Sequence, residues 1–308
     1  MEEVKRDLFT YWDQFVDEYM AMGGSEATIR RVKLTLNLIY KESGIETIED
    51  CNSPIILRSK LITLMKDRDW TEVTYNTHLK SIKAYFNWLY DYEYVEVNNI
   101  GKIRKAKEKN KEQRTLTQSQ VDALVNYVSR HNFPSRLGYS RNVFLVNLAL
   151  STGARTSEIS ALKCKDVYME GGSLKIVIKG KKQKGRPRYY KMKGALKHSY
   201  EMYMKCRREY GREEELLFIS CSDSNGLTTR GIQAFFTRCS KALGFSVTNY
   251  SIRRYVATKL DKEGFNLKKI GDFLGHTRLS TTQRYIERSA SLTEDGIDML
   301  GKNLKKLD

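Results

Sequence analysis

A basic segment with few apolar residues, between Ile100 and Arg114, divides the chain and limits what it can fold into. It carries seven basic residues against two acidic ones, and only two apolar side chains follow Ile100. Such a stretch lacks the apolar surface to fold alone, so residues 101–114 are predicted to be a flexible linker between two domains. The basic residues are Lys102, Arg104, Lys105, Lys107, Lys109, Lys111 and Arg114. They would let the linker follow a nucleic-acid backbone, although a plain solvated linker can have the same composition.

Residues 1–100 are predicted to form a small all-helical domain, because apolar residues recur there at helical spacing. The first helix is expected from Leu8 to Met22, where Gly23 and Gly24 stop the pattern. Ser25 can cap a second helix that runs to about Glu42. Two further helices are expected, Pro54 to Asp67 and Thr71 to about Tyr92.

The fourth of these helices is rich in aromatic side chains, among them Tyr75, Tyr85, Phe86 and Trp88. Aromatic residues at this spacing more often form a core than a surface for stacking bases. Lys80 and Lys83 lie between them and are predicted to contact phosphate groups.

Residues 115–290 are predicted to form a second domain, mostly helical with a small antiparallel sheet. Leu174, Ile176 and Ile178 alternate with other residues, which is typical of a strand, and Arg188 to Lys191 would be the return strand of a hairpin. Between these strands the basic residues Lys179, Lys181, Lys182, Lys184 and Arg186 occur without an acidic one. The helices are expected at Thr117 to Val128, Asn142 to Leu150, Ala195 to Tyr210 and Thr229 to Leu243.

The whole chain of 308 residues carries 54 lysines and arginines against 37 acidic residues, a net charge of +17. An excess this large indicates a protein that binds a polyanion, with nucleic acid as the first candidate and a basic surface kept for solubility as the alternative. The five cysteines are scattered without the spacing of a metal site, which favours reduced thiols and a cytoplasmic location. No secretion signal or membrane span is visible, and no metal or other cofactor is expected.

Three further segments carry residues suited to phosphate chemistry. Arg155 and Glu158 are three residues apart and should share one helical face, and Arg253 begins a later helix. A short helix from Leu267 should end at Gly275, which places His276 exposed at a turn. Ser280 and Gln283 have the spacing of a capping box, so a further helix should carry Tyr285.

Metal-free cleavage of a DNA strand needs a nucleophile, positive charge on the phosphate oxygens and an acid for the leaving 5′ oxygen. Arginine suits the second task because its planar fork donates two hydrogen bonds and keeps its charge. Taken singly, Tyr285 would be a packed aromatic, His276 a turn residue and Arg155 with Glu158 an ordinary ion pair. Their order along one chain favours a shared site.

The three segments together resemble the tyrosine recombinases, or phage integrase family. The resemblance implies that Arg155 and Arg253 are the catalytic arginines, Glu158 supports Arg155, and Tyr285 is the nucleophile. It further implies that His276 is the histidine of the Leu-Gly-His box and Lys179 the catalytic lysine, with Lys181 and Lys182 as alternatives. Tyr250 stands three residues before Arg253, where most relatives have histidine, so it is assigned to the catalytic set as a substituted residue. A phenol donates a hydrogen bond but is a poor base near neutral pH.

The resemblance also implies a fold and an activity. A SAM-like, all-helical core-binding domain and a mixed α+β catalytic domain would close around duplex DNA as a C-shaped clamp. The enzyme would cut and rejoin strands through a 3′-phosphotyrosyl link, without metal or ATP, to integrate or excise a virus or mobile element. A monomer in solution would become a tetramer on DNA, associated with a prokaryotic nucleoid or with a host cell. Residues 291–308 would dock on a neighbouring subunit or pack on their own.

Two other functions fit parts of the sequence. A type IB topoisomerase uses a similar site as a monomer, but the separate helical domain and the terminal segment favour recombination. An accessory DNA-binding protein that has lost catalysis is supported only by Tyr250, and the retention of Tyr285 with both arginines argues against it.

Overall fold

The computed structural model describes residues 5–108, 115–180, 187–221 and 225–276. The chain divides into two compact units, residues 1–111 and residues 112–308. Helices dominate both units within these described ranges, and the one sheet found there belongs to the second unit. None of the described helices combines the length and the apolar character that a membrane crossing requires.

The described part of the first unit contains four α-helices, and three of them follow a capping Ser or Thr, of which Ser25 was predicted. The hydroxyls of Ser25, Ser53 and Thr71 accept hydrogen bonds from backbone N–H groups of the first turns that follow them. The helices are α1 (Trp12–Ala21), α2 (Glu26–Ser43), α3 (Pro54–Asp67) and α4 (Glu72–Asp91).

The core of the first unit is centred on α4. Tyr75, Tyr85 and Phe86 are all buried and Trp88 packs against the same core, which confirms the prediction for these four residues, whereas Tyr90 of the same helix is exposed. The hydroxyl of Tyr85 donates to the carbonyl oxygen of Leu8 at 3.1 Å. Leu8 is also buried, but it precedes α1, which begins four residues later than predicted. Leu8 therefore reaches the core from the segment before α1 and not from a helix. In that segment the adjacent Asp7 forms an isolated β-bridge with Thr47.

The predicted linker is in part an ordered piece of the first unit. Residues Asn99–Lys102 form a 3₁₀ turn, and Ile100 and Ile103 are buried in the core. The amide of Asn76 then holds residue 106 like a strand partner: Ala106 N donates to Asn76 Oδ1 at 2.8 Å, and Asn76 Nδ2 donates to Ala106 O at 2.9 Å. Two well-spaced isoleucines therefore anchor residues 100–108, which corrects the prediction that this stretch is a flexible linker.

The second unit contains seven helices and a three-stranded antiparallel sheet in its described part. The helices are α5 (Gln118–Arg130), α6 (Arg136–Thr152), α7 (Thr156–Ser160), α8 (Ala195–Glu209), α9 (Thr229–Leu243), α10 (Asn249–Lys262) and α11 (Leu267–Leu274). The strands are β1 (Val167–Glu170), β2 (Ser173–Ile178) and β3 (Arg188–Met192), in the order β1-β2-β3. The β2–β3 pairing was predicted, whereas β1 was not.

The core of the second unit surrounds α6, which is buried over most of its length, as expected for the helix predicted from Asn142 to Leu150. Phe144 of this helix stacks on Phe218 with ring centroids 5.2 Å apart. Leu174, Ile176 and Ile178 of β2 have no exposed surface, so one face of the sheet completes this core.

Two glycines end helices where the backbone must turn tightly. Gly153 ends α6 and Gly275 ends α11, and both have the positive φ that glycine adopts without strain. A Cβ on Gly153 would lie 2.6 Å from Leu274 Cδ2, so the ends of the two helices lie in contact. The predicted helix end at Gly275 is confirmed.

Candidate active site

Arg155 and Glu158 form a corner between α6 and α7. Arg155 is the N-cap of α7, and Glu158 Oε2 accepts a hydrogen bond from Arg155 N at 2.8 Å. The second carboxylate oxygen of Glu158 pairs with Arg155 Nη1 at 2.8 Å. The two residues pair as predicted, but Arg155 precedes α7 as its N-cap, which corrects the prediction that they share one helical face. Glu158 is buried, and the Arg155 side chain is 41% exposed. Glu158 fixes both the backbone and the guanidinium of Arg155.

Arg253, on α10, reaches the same corner from the other side. Its side chain is buried, Nη1 donates to Gly153 O at 2.7 Å, and Nη2 donates to Leu274 O at 2.6 Å. Asn249, one turn earlier on α10, donates from Nδ2 to Ala154 O at 2.8 Å. Helix α10 thus holds the backbone on the N-terminal side of Arg155 at two points.

The C-terminal end of α11 gathers guanidinium groups. Arg155 Nη1 and Nη2 both lie 3.2 Å from Gly275 O, and Arg253 and Arg188 bind the neighbouring carbonyl Leu274 O at 2.6 and 2.7 Å. The last carbonyl groups of a helix carry partial negative charge and lack partners within the helix, so they attract cations. This helix end brings together the two arginines that the sequence singled out.

Arg188 is the member of this cluster that sequence reasoning missed. It begins β3, its side chain is 8% exposed, and Nη2 lies 2.6 Å from Glu158 Oε2. Two guanidinium groups therefore flank one buried carboxylate. Burial acts to raise the pKa of Glu158, but the charge of Arg188, the hydrogen bond from Arg155 N and the charge of Arg155 hold that pKa below its usual value.

His276 follows Gly275 and is half-buried, which corrects the prediction that it is exposed at a turn. Its backbone N–H donates to Gly271 O at 2.8 Å, so the turn folds back onto α11. Burial lowers the pKa of His276 to about 3, and the charges of Arg253, Arg155 and Arg188 act in the same direction against Glu158. The imidazole is therefore neutral near pH 7.

Lys179 lies just beyond the end of β2, as predicted. Its ammonium pairs with Asp166 Oδ1 at 2.7 Å, and its side chain is 63% exposed. Asp166 is buried and also accepts a hydrogen bond from Lys163 N. In the described structure Lys179 is thus held by Asp166 and does not contact the arginine cluster.

Tyr250 lies in the first turn of α10 and is 48% exposed. The predicted nucleophile Tyr285 falls outside the described residues, as do Lys181, Lys182, Lys184 and Arg186. No group of histidine, cysteine, aspartate or glutamate side chains within the described ranges is suited to hold a metal ion.

The predicted DNA-binding cations of the first unit differ in exposure. Lys80, Lys102, Arg104, Lys105 and Lys107 are exposed. Lys83 is half-buried and donates to Gly101 O at 3.0 Å and to Ile103 O at 2.8 Å. Burial and the charge of Lys105 lower the pKa of Lys83. Lys83 therefore anchors the 3₁₀ turn, and its contact with a phosphate stays a prediction.

A groove beside α3 adds two cations that the sequence did not reveal. Arg58 and Lys66 line it together with Lys102 and Arg104, and the apolar part of its wall includes Ile103. Arg58 and Lys66 are far from the linker in sequence, and they lie beside it because Ile100 and Ile103 anchor that segment in the core.

The family model for the phage integrase family matches residues 114–291, more than half of the chain. The chain belongs to the phage integrase family. The matched range contains the whole arginine cluster and extends past Tyr285.

Curated relatives of this family member are tyrosine recombinases. It is 26% identical to tyrosine recombinase XerC of Thermodesulfovibrio yellowstonii over 268 residues, 85% of this chain and 86% of the relative. It is 24% identical to tyrosine recombinase XerA of Pyrococcus furiosus over 288 residues, 93% of this chain and 92% of the relative. These relatives confirm the predicted enzyme class and favour it over a topoisomerase.

The solved structures confirm the fold of this phage integrase family member. The site-specific recombinase XerH, in a post-cleavage complex with its palindromic difH substrate, matches with a TM-score of 0.73 at 19% identity. The match covers 94% of this chain and 85% of XerH. The predicted combination of mainly helical architecture with a small antiparallel sheet is therefore confirmed.

Proposed function

We propose that the protein is a site-specific DNA recombinase that cuts and rejoins strands through a covalent link between Tyr285 and a DNA 3′ phosphate. The observation that carries this proposal is the convergence of Arg155 and Arg253 beside His276 at the end of α11. The family model that matches this part of the chain continues through Tyr285, and the relatives are named as tyrosine recombinases.

In the proposed reaction the Tyr285 oxygen attacks phosphorus and the bond from phosphorus to the 5′ oxygen breaks. The phenolic proton leaves to a nearby base, and the 5′ oxygen takes a proton from Lys179. The phosphodiester is conserved as a phosphotyrosyl ester, so the 5′ hydroxyl can attack it in reverse and rejoin the strand without ATP.

The guanidinium groups of Arg155 and Arg253 are assigned to the two non-bridging oxygens of the phosphate. Both are held by backbone carbonyls and, for Arg155, by Glu158, so little reorganisation is needed as charge develops. Removal of one such preorganised donor typically costs on the order of 3 kcal/mol in the barrier. His276 is neutral near pH 7 and can act as a hydrogen-bonding partner or as a base, whereas Tyr250 can supply only a phenol hydrogen bond.

Release of Lys179 from Asp166 is part of this proposal. The ammonium is exposed at the end of a flexible four-carbon side chain, so it can move to the leaving oxygen when DNA is bound. Lys181 and Lys182 are the alternative donors.

The proposed partner is duplex DNA, bound through phosphate contacts from the exposed cations of the first unit and from Lys181, Lys182, Lys184 and Arg186. XerH is described in complex with a palindromic site, which supports a palindromic or inverted-repeat target for this chain. Strand exchange requires two duplexes, so a monomer in solution and a tetramer on DNA are proposed. Integration or excision of a mobile element stays a prediction.

A suicide-substrate assay tests the proposed reaction. Nicked duplexes that cover the DNA flanking the coding sequence, with the cut strand unable to religate, are incubated with the protein without metal or ATP. We expect a 3′-linked adduct with the wild type and with Tyr189→Phe, an exposed tyrosine of β3, and none with Tyr285→Phe.

Two results would overturn the proposal. An adduct that persists in Tyr285→Phe would remove the nucleophile, and DNA binding without adduct on every duplex would favour the accessory-protein alternative. Relaxation of supercoiled plasmids of any sequence by the monomer would favour the topoisomerase alternative.

A further inference from the structure

Arg188 is a buried arginine whose charge and donors are directed at the cluster already described. Its side chain is 8% exposed, and it has polar partners on α7 and at the end of α11. Nη2 lies 2.6 Å from Glu158 Oε2, and Nη1 donates to Leu274 O at 2.7 Å. A buried guanidinium is costly unless it is paired, so the site that pairs it must be well defined.

We propose that Arg188 is a positioning residue of the cleavage site: it binds Glu158 and the C-terminal end of α11 at once, and so fixes Arg155 and the turn that presents His276. This inference rests on the proposed function. Arg188 itself is not expected to touch the DNA.

Arg188 balances the charge on Glu158. This carboxylate binds Arg155 through the backbone N–H and through Nη1, both at 2.8 Å. With Arg155 as its only cationic partner, the full charge of a buried carboxylate would act on the guanidinium that has to hold a phosphate. Arg188 supplies a second positive charge, so Arg155 is oriented by Glu158 without being neutralised by it.

Arg188 also contacts the turn before His276. An ideal Cβ on Gly275 would lie 2.8 Å from Arg188 Nε and 3.0 Å from its Cδ and Cζ. The guanidinium therefore packs directly against the backbone of Gly275, whose own carbonyl accepts from Arg155. One arginine thus sets the distance between β3 and the turn.

A second residue of β3 supports the same helix end. Tyr190, two residues later and on the same face of the strand, donates to Phe273 O at 2.6 Å, and Arg188 Nη1 lies 3.3 Å from the Tyr190 hydroxyl. Phe273 O and Leu274 O are therefore both capped from β3. The register of this strand controls where α11 ends relative to Glu158.

Replacement of an arginine with only a structural role should change stability and leave the His276 titration unchanged. Arg207 offers the matched case within the same unit: it is 2% exposed and donates to Leu216 O, Leu217 O and Glu214 O, away from the cluster. Its replacement should lower stability without altering the charge around His276.

The experiment compares Arg188→Met, Arg188→Lys and Arg207→Lys in the full chain, each checked for folding by its melting temperature. Adduct formation is measured at saturating DNA and below the lowest melting temperature, and His276 is titrated by NMR in the DNA-free protein. His276 faces Arg253, Arg155, Arg188 and Glu158, so loss of the positive charge at position 188 should raise its pKa.

For Arg188→Met we expect adduct formation to fall by about 100-fold, the scale on which small displacements of a catalytic group act, with DNA affinity nearly unchanged. Arg188→Lys keeps the charge but cannot bind Glu158 and Leu274 O together, so its rate should lie between those of Arg188→Met and the wild type. Arg207→Lys should keep both the wild-type rate and the wild-type His276 titration.

A double-mutant cycle with Glu158→Gln separates positioning from general stability. A neutral amide does not need a second cation, so Arg188→Met should cost far less in the Glu158→Gln background than alone. Additive losses, or a His276 titration unchanged in Arg188→Met, would overturn the proposal. If the wild type forms no adduct, the proposed function fails, but the His276 titration still decides whether Arg188 sets this geometry.

Discussion

At the scale of single residues, the imidazole of His276 is controlled by the arginines around it. It is half-buried, and burial together with Arg253, Arg155 and Arg188 lowers its pKa from 6.5 to about 3. Proton transfer at His276 therefore starts from the neutral ring across the physiological range. A bound phosphate brings negative charge among these arginines, which favours protonation of His276 in the complex.

We predict that His276 stays neutral in the DNA-free protein down to well below pH 5 and that its pKa rises when a duplex is bound. An NMR titration of the four histidines, with His276 assigned by comparison with His276→Gln, measures both values. The DNA-bound titration uses Tyr285→Phe so that no strand is cut. A His276 pKa near 6.5 in the free protein would contradict the arrangement of the cluster.

Stability should depend on pH through the same residue. Between pH 6.5 and about pH 3 the unfolded chain binds a proton at His276 that the folded chain does not, so acid lowers the free energy of unfolding. We predict a shallower loss of stability in this window for His276→Gln than for the wild type. Urea unfolding at a series of pH values checks it, and parallel curves for the two proteins would refute it.

Lys80 and Lys83 are one turn apart on α4 but should behave differently. Lys80 is exposed, whereas Lys83 donates to Gly101 O and Ile103 O. We predict that Lys83→Met lowers the free energy of unfolding by about 1 kcal/mol with little effect on the salt dependence of DNA binding. Lys80→Met should leave stability unchanged and reduce that salt dependence. A reduced salt dependence with unchanged stability in Lys83→Met would instead show that Lys83 contacts a phosphate.

Contacts between distant segments limited what could be predicted from the sequence for single residues. Arg155, Glu158 and Arg253 were found because a pair at helical spacing and a family pattern are both local features. Arg188 stands in a strand among basic and aromatic residues and looks like a surface residue, because nothing nearby in sequence shows that Glu158 lies opposite. His276 was misjudged for the same reason, because its burial comes from distant segments. The carbonyl partners of Lys83 were likewise not visible, because they lie in a later segment of the chain.

At the scale of elements, the C-terminal end of α11 depends on a glycine for two reasons. Gly275 has a φ of +68°, and a Cβ there would lie within 3.0 Å of three Arg188 atoms. We predict that Gly275→Ala lowers the free energy of unfolding by about 2 kcal/mol and also slows adduct formation. Gly211 has a φ of +62° with open space around it, so Gly211→Ala should cost about 1 kcal/mol and leave adduct formation unchanged.

Thermal unfolding and the suicide-substrate assay together check this pair of variants. If both alanines slowed adduct formation to the same degree, the contact between Gly275 and Arg188 would have no special role. The comparison isolates that contact from backbone strain alone.

Elements with strong local signals were predicted almost to the residue. The helices α3 and α9 have the predicted bounds: a Ser or Thr cap begins each one, and Gly244 ends α9. Strand β1 was missed because Val167–Glu170 is too short to show alternation, and it exists through pairing with β2. Order in residues 100–108 was missed because two isoleucines and the amide of Asn76 outweigh the charges there.

At the scale of the whole molecule, the net charge of +17 makes DNA affinity strongly dependent on salt. The groove beside α3 collects Arg58, Lys66, Lys102 and Arg104. We predict that replacing Lys102 and Arg104 by Gln reduces the slope of log K against log salt by about 2, on the order of 0.9 for each phosphate contact.

Fluorescence anisotropy of a labelled duplex over a series of KCl concentrations measures this slope. Adduct formation at saturating DNA should be unchanged, because these cations are outside the cleavage site. Arg30→Gln, which removes an exposed arginine paired with Glu26, is the control and should leave the slope near that of the wild type. An unchanged slope in the double variant would exclude this groove from the DNA interface.

The contacts of the arginine cluster also determine when the active site can form during synthesis of the chain. Arg155 binds Gly275 O across 120 residues, Arg253 binds Gly153 O across 100, and Arg188 binds Leu274 O across 86. Contacts this distant in sequence form late, because the intervening chain must first be ordered. A nascent or truncated chain that stops before α11 lacks the carbonyls that gather the three guanidinium groups, and it also lacks the proposed nucleophile Tyr285. We therefore expect incomplete chains to bind DNA through their basic surfaces without being able to cut it.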